Sequence, residues 1–444
     1  MIKQENIDRI ISDVSIRDVA IDEGITFSKE RGGKLWACCP FHKENTPSFF
    51  VDTGTNTWKC YGGCHSGGNV ISLYRKLKND LPFPIACKEL AKKYLNEDIE
   101  DDYKPSKEDE EKQKEKESLQ IILSYAQEFY VQCIHEVNPA ANKARETVRK
   151  RWGADAIERF GIGYAPRNGF IEWAMRKGLD FDLLEQVGLI GIGERGKYAM
   201  LRDRYTIPIY DKMSNVIGFT ARTMSDDKDI CKYLNLKNSL VYAKDKSVFG
   251  INFAQKEARL KNKFYLVEGA PDVVKLQSIE ILNTVASLGG AWTENQLKQL
   301  YHISHTVTFI PDADTLKPGN EWPAGTANVF ANGREALAAG FTVNVREIPI
   351  DYPAPKKEDP DSWIVDKAHF QQMKEEEFIY WFCRRRYWPT ADDIEQMTTE
   401  DRLKAIADIC SLLMMIRDED LRTSYLTGLC TMYKLSLIHI SEPT

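Results

Sequence analysis

The chain lacks any uninterrupted apolar stretch long enough to cross a bilayer, and its first residues, Met1 to Asn6, form no apolar leader. These absences exclude an integral membrane protein of the helical kind and lead us to expect a cytoplasmic one. Histidine is scarce, at seven residues in 444, and internal repeats are missing. Net positive charge is missing too: the formal charge of −6 argues against a protein coated in nucleic acid. A basic groove is still open to it, because many of the acids fall between Glu97 and Glu117. What is present, 43% hydrophobic and 28% charged residues over 444 positions, describes a soluble globular chain of two to four domains.

Ten cysteines in a reducing compartment predict thiols or metal ligands, not structural disulfides. Cys87, Cys133, Cys231, Cys383, Cys410 and Cys430 are scattered and read as small core residues. The rest cluster. Cys39-Pro-Phe-His42 is followed by Cys60-Tyr-Gly-Gly-Cys64, two pairs in the order of a knuckle and hairpin that close a tetrahedral zinc site. The second pair has three intervening residues, a wider turn that Gly62 and Gly63 are expected to absorb, with Cys38 and His65 as substitute ligands. Around the knuckle, Trp36, Phe41, Lys43, Phe49, Phe50, Trp58, Lys59 and Tyr61 suit either unstacked bases or the small core of a zinc ribbon.

Further along, from Glu97 to Ser118, apolar residues nearly vanish and charge is dense, which marks a boundary formed by a disordered tether or a solvated helix. Helical periodicity resumes at Leu119, and short strands with turns follow Ala154 as a mixed subdomain. Three hydrophobic runs then deliver acids where they stop: Phe264 to Val267 before Glu268, Val307 to Ile310 before Asp312 and Asp314, and Val343 to Ile350 before Asp359 and Asp361. Such runs read as buried parallel strands alternating with helices, and function in such sheets gathers at the strands' carboxyl ends. Each acid alone is a common turn or helix entry; together they favour Mg²⁺ or Mn²⁺ and phosphate chemistry. Beyond about Glu375 only helical patterns remain.

Cys39-Pro-Phe-His42-Lys-Glu-Asn-Thr-Pro-Ser-Phe49 with Cys60 to Val70 resembles the CHC2 zinc domain of bacterial DnaG-type DNA primases. Val267-Glu268-Gly-Ala-Pro-Asp272, Ala286 to Gly289, Asp312-Ala-Asp314 and Glu358-Asp359-Pro-Asp361 resemble the Toprim core of the same family. Arg202-Asp-Arg204, Val216 to Arg222, Lys232-Tyr-Leu-Asn235 and Lys244 are similar to its basic template-binding subdomain. The resemblance implies an α/β Toprim core with a parallel-rich sheet, an N-terminal zinc ribbon, a mixed α+β basic subdomain and a helical C-terminal segment. The corresponding domains are 1–96 (zinc), 97–118 (linker), 119–263 (basic subdomain), 264–374 (Toprim) and 375–434 (helical). Residues 435–444 resemble a translated sequencing adapter, so the natural protein is expected to continue. The insertion Thr315 to Ala324 and the unfamiliar tail depart from the family and point to a phage or mobile element.

The same resemblance implies RNA primer synthesis from ribonucleoside triphosphates on single-stranded DNA, beside a replicative helicase. Glu268, Asp312 and Asp314 would be catalytic. They would hold two or more Mg²⁺ or Mn²⁺ ions with Asp359 and Asp361, while Asp272 supports them from behind. Whether Glu268 is a ligand or a general base is left open. Cys39, His42, Cys60 and Cys64 would hold one structural Zn²⁺. Arg202, Arg204, Arg222, Lys232, Asn235 and Lys244 would line the template and nucleotide groove. Alternatives are a Toprim nuclease or topoisomerase, or an inactive single-strand-binding replication accessory.

Overall fold

The charged stretch holds the division between two units, Met1–Gln113 and Lys114–Thr444. The computed structural model describes residues 2–433 apart from 32–33, 63, 65, 79–80, 100–106, 195, 226, 228 and 388–395. The expected adapter-derived tail lies outside the described residues, as does His65. Among the described residues no helix is long and apolar enough to cross a membrane.

In the first unit, β1 (Lys29–Arg31), β2 (Lys34–Ala37), β3 (Phe49–Asp52), β4 (Thr57–Cys60) and β5 (Gly67–Asn69) form an antiparallel sheet in sequential order. Period-two alternation turns Trp58 and Cys60 of β4 inward and leaves Thr57 and Lys59 exposed. Helices Gln4–Asp13, Ile16–Asp22, Val70–Leu77 and Phe83–Leu90 cover the sheet, and Ile10, Val19, Val51, Trp58, Leu73 and Leu90 fill the space between. Asn69 caps the third of these helices by accepting from Ser72 N at 3.0 Å, and Trp58 Nε1 donates to Ser72 Oγ at 3.0 Å.

In the second unit, the long helix Lys107–His135 changes character along its length. Its charged start resolves the tether-or-helix alternative in favour of helix from Lys107 onward. Its later turns bury Leu119, Ile122, Leu123, Ala126, Phe129, Tyr130, Cys133 and Ile134 at helical spacing. These side chains pack on an antiparallel sheet ordered β11-β10-β9-β6, built from β6 (Gly163–Ala165), β9 (Arg204–Tyr210), β10 (Val216–Thr223) and β11 (Tyr233–Asn235). A separate hairpin joins β7 (Ile190–Gly193) to β8 (Gly196–Ala199).

The third sheet positions the site. β12 (Phe264–Val267), β13 (Thr284–Ala286), β14 (Thr306–Phe309) and β15 (Thr342–Arg346) are mutually parallel in the order β13-β12-β14-β15. The chain leaves β12 for one neighbour, β13, and returns to the other side as β14. That reversal opens a crevice at the carboxyl ends of β12 and β14. One expectation needs correction. Glu375 does not begin an all-helical tail, because β16 (Glu375–Glu377) pairs antiparallel with β15 and closes the sheet edge. Strand propensity there is poor, and pairing to the open edge of β15 overrides it.

The following helices, Phe378–Arg386, Thr399–Leu413 and Glu419–Tyr433, share one core with the sheet: Phe378, Trp381 and Phe382 pack with Phe309, Phe330, Val343 and Val345. Gly333 makes this possible, since a Cβ there would lie 2.9 Å from Phe378 Cδ2. Trp381 has no exposed surface, so Trp381→Ala is expected to cost the second unit about 3–5 kcal/mol in urea unfolding. An unchanged transition would show that this segment folds apart from the sheet.

Candidate active site and metal centre

β12 ends at Val267 and presents Glu268; β14 ends at Phe309 and, through Ile310-Pro311, presents Asp312 and Asp314. The two strands are direct neighbours, paired Leu266 to Phe309, so the acids share the crevice of the switch point. Asp359 arrives from another direction. A reciprocal backbone bridge between Ala313 and Glu358, at 2.8 and 2.9 Å, fixes it beside Asp312. Gly325 is needed at the start of the next helix because a Cβ would run into the Asp312 carbonyl; Gly325 N donates to Asp314 Oδ2 at 2.9 Å.

A cleft open to solvent is lined by Glu268, Asp272, Asp312 and Asp359 together with Arg151, Lys232, Tyr233 and Asn235. Asn328 donates to Glu268 Oε1 at 3.3 Å. Burial pushes the Glu268 carboxyl above its ordinary range, and Asp312 is pushed up to about 7 by burial and then by Glu268, with Lys357 opposing. Asp312 Oδ1 is buried with no hydrogen-bond partner among the described residues. An orphaned carboxylate oxygen beside three more acids fits a hard divalent cation.

Asp272 is 6% exposed, accepting from Gly269 N and Asp361 N at 3.1 Å each, so it ties the β12 turn to the helix Pro360–Trp363. Burial, then Asp312, Asp359 and Asp361, raise its pKa well above the ordinary value. Asp361 departs from its expected position. Its oxygens are taken by Arg151 Nε and Nη2, both at 2.6 Å, and by Trp152 Nε1 at 2.5 Å.

The cations sort in the same way. Lys232 and Asn235 line the cleft, and Lys244 lies over Gly289, whose added Cβ would sit 2.9 Å from Lys244 Cε. Arg222 donates to Tyr233 Oη at 3.3 Å. Arg202 is exposed and stands over the Tyr198 ring at 5.4 Å. Arg204 is 7% exposed and donates to the Ala221 and Lys232 carbonyls, a position inside the sheet and not in a groove. Arg151, Asn328 and Lys357 were not expected; Arg151 sits on a helix patterned like any solvated one, and nothing local in sequence marks it.

In the first unit, ligand atoms of Cys39, His42, Cys60 and Cys64 lie within 4.8 Å of one another. The Cys39 and Cys64 sulfurs are 3.6 Å apart, against about 3.7 Å for two thiolates on one tetrahedral zinc. Their contact pushes Cys39 up and pulls Cys64 down, so one of the pair carries thiolate character. The soft donor set and the spacing fit Zn²⁺. Cys38 is exposed and outside the cluster. Gly62 is required here, since its Cβ would meet His42 Nε2 at 2.7 Å.

Glu44, unnoticed in the sequence, binds the site from behind. It accepts from Cys39 N at 2.6 Å and Ser48 Oγ at 2.6 Å, and touches His42 Nε2 at 2.9 Å. Of the aromatics, Phe49, Phe50 and Trp58 are buried and Tyr61 is exposed; Trp36, Phe50 and Tyr61 form a row at 5.0 and 5.7 Å with Lys34 and Lys59 over it.

A family model for the CHC2 zinc finger matches residues 2–107, and one for the DNA primase catalytic core, N-terminal domain, matches residues 130–255. The chain belongs to the DnaG-type primases. The DNA primase of Pseudomonas putida is 33% identical over 377 residues, covering 82% of this chain and 53% of that one. The chain thus spans about half the length of the curated relatives it matches. A crystal structure of the zinc-binding and RNA polymerase domains of Aquifex aeolicus primase covers 98% of each chain at 26% identity and a TM-score of 0.58. The RNA polymerase domain of Mycobacterium tuberculosis DnaG in complex with double-stranded DNA covers 72% of this chain and 99% of its own, at 25% and 0.57.

The raised Asp312 makes a stability prediction. Between its ordinary pKa of 3.8 and about 7, the folded state keeps a proton that the unfolded chain has released. Metal-free protein should therefore lose stability as pH rises from about 4 to about 7. Asp312→Asn should remove much of that slope and stabilise the second unit at pH 7 by on the order of 2 kcal/mol, read by urea unfolding in chelator. A variant no more stable than wild type at pH 7 would contradict it.

Proposed function

We propose that this chain synthesises RNA primers on single-stranded DNA, joining ribonucleoside triphosphates by divalent-metal-assisted nucleotidyl transfer in the cytoplasm, beside a replicative helicase. The observation that carries this is the switch-point crevice, where Glu268, Asp312 and Asp359 line one cleft with Arg151, Lys232 and Asn235, and Asp314 is joined to Asp312 through Lys357. In the proposed arrangement Asp312, Asp314 and Asp359 hold the ions, and Asp361 is reassigned to anchoring Arg151. Bound Mg²⁺ or Mn²⁺ would neutralise charge on the attacked phosphate and its leaving pyrophosphate.

The remaining roles belong to the protein. Glu268 is half-buried with a raised pKa and steadied by Asn328, which suits it to accept the proton of the attacking 3′-hydroxyl or to complete the ligand set. Arg151 is fixed by Asp361 and by Tyr205 Oη at 3.0 Å, so it can meet phosphate without reorganising. Lys232, Asn235, Lys244 and Arg222 would follow the backbone of template and nucleotide, which positions a strand without reading its sequence. Asp272 would hold the ligand-bearing turns in register. In the first unit, Cys39, His42, Cys60 and Cys64 would hold one structural Zn²⁺, and Trp36 and Tyr61, at the two ends of the aromatic row, would stack unpaired bases.

On a single-stranded template with Mn²⁺, Asp312→Asn is expected to lower primer synthesis by at least about 100-fold while leaving DNA affinity within about twofold. Wild-type product from that variant would sink the assignment, and strand scission by the wild type would favour a nuclease. Purified protein should carry one equivalent of zinc by atomic absorption, lost in Cys39→Ser; metal-free wild type would refute the zinc assignment.

A further inference from the structure

The Ala313–Glu358 bridge is antiparallel, so residues one step either side of it share a face of the two-stranded ribbon. Asp312 stands opposite Asp359, and Asp314 opposite Lys357. The Lys357 ammonium therefore falls between the two aspartates, with Nζ 2.8 Å from Asp312 Oδ2 and 2.8 Å from Asp314 Oδ1. The carboxylates are 9% and 12% exposed, whereas the Lys357 side chain is 55% exposed. Its stem reaches in from solvent. The neighbouring Lys356 is 82% exposed and, among the described residues, pairs with Glu358 at 3.1 Å.

We propose that Lys357 is a displaceable internal counter-ion. It competes with the divalent cation for Asp312 and Asp314, then passes to the triphosphate of the incoming nucleotide, so that metal and nucleotide bind cooperatively. This rests on the reading of those aspartates as metal ligands. A cation cannot use Asp312 Oδ2 and Asp314 Oδ1 while the ammonium holds both. A cation that starts on the free Asp312 Oδ1 and goes on to take these two oxygens must break two charge-assisted hydrogen bonds, a loss that water repays poorly and phosphate oxygens repay well. Asp312 and Asp359 line the same cleft as Arg151 and Lys232, so a triphosphate seated there lies within reach of the released side chain. Linkage then requires each ligand to strengthen the other by the same factor.

Two measurements on the full chain test this. Free Mn²⁺ titrated by electron paramagnetic resonance without nucleotide should show Lys357→Gln binding about tenfold tighter than wild type, with Lys356→Gln and Lys357→Arg both near wild type. In saturating Mn²⁺, a fluorescent ribonucleoside triphosphate should bind Lys357→Gln about tenfold more weakly than wild type. Equal Mn²⁺ affinity in wild type and Lys357→Gln would overturn the competition, and equal nucleotide affinity would overturn the transfer. Should Lys357→Gln bind no Mn²⁺ at all, the metal site itself would fall, and this inference with it.

Discussion

Like charges packed at the carboxyl ends of two neighbouring parallel strands repel, and the architecture of the second unit is organised around restraining that repulsion. Burial makes it worse by removing the water that would screen it, which is why Glu268, Asp272, Asp312 and Asp361 all sit above the ordinary carboxylate range. Each acid is restrained differently. Asp361 is matched by Arg151 and Trp152, Asp272 by two backbone amides, Asp314 by Gly325 N and Lys357, and Glu268 by Asn328. Asp312 alone keeps a buried oxygen with no partner among the described residues. Local strain of this kind persists only where the surrounding core over-determines it, and the sheet with its flanking helices provides that core.

Much of this was legible before any coordinates. Apolar runs ending in acids mark parallel strands because both faces of such a sheet are covered, and the CHC2 cysteines announce themselves by spacing. What sequence could not reveal was partner choice. Asp359 and Asp361 are two residues apart and chemically identical, yet one lines the cleft and the other is bound to an arginine 210 positions earlier. Arg202 and Arg204 look equivalent, but Arg204 opens β9 and is buried against carbonyls of its own sheet, whereas Arg202 lies before the strand and is exposed. Nothing in the sequence sets Lys357 apart from other lysines, and the Ala313–Glu358 bridge is what places it between two aspartates.

The zinc unit shows the same limit on a smaller scale. Four ligands were evident from their types and order, whereas the carboxylate that organises them was hidden in plain composition. Glu44 gathers a backbone amide, a serine hydroxyl and the histidine ring around one point, and this fixes the knuckle's shape from outside the ligand set. Second-layer acids carry no spacing rule of their own, so only the folded loop discloses them.

The short strand β16 bears on how this protein tolerates shortening. A chain ended at 374, where sequence pattern alone would draw the domain limit, would leave β15 with a row of unsatisfied amides and carbonyls, and Val343 and Val345 stripped of the aromatic cover beneath them. Bare edges of that kind recruit strands from other molecules. The helices after Glu377 thus act as a lid over a self-adhesive seam, and material lacking them would be expected in the pellet.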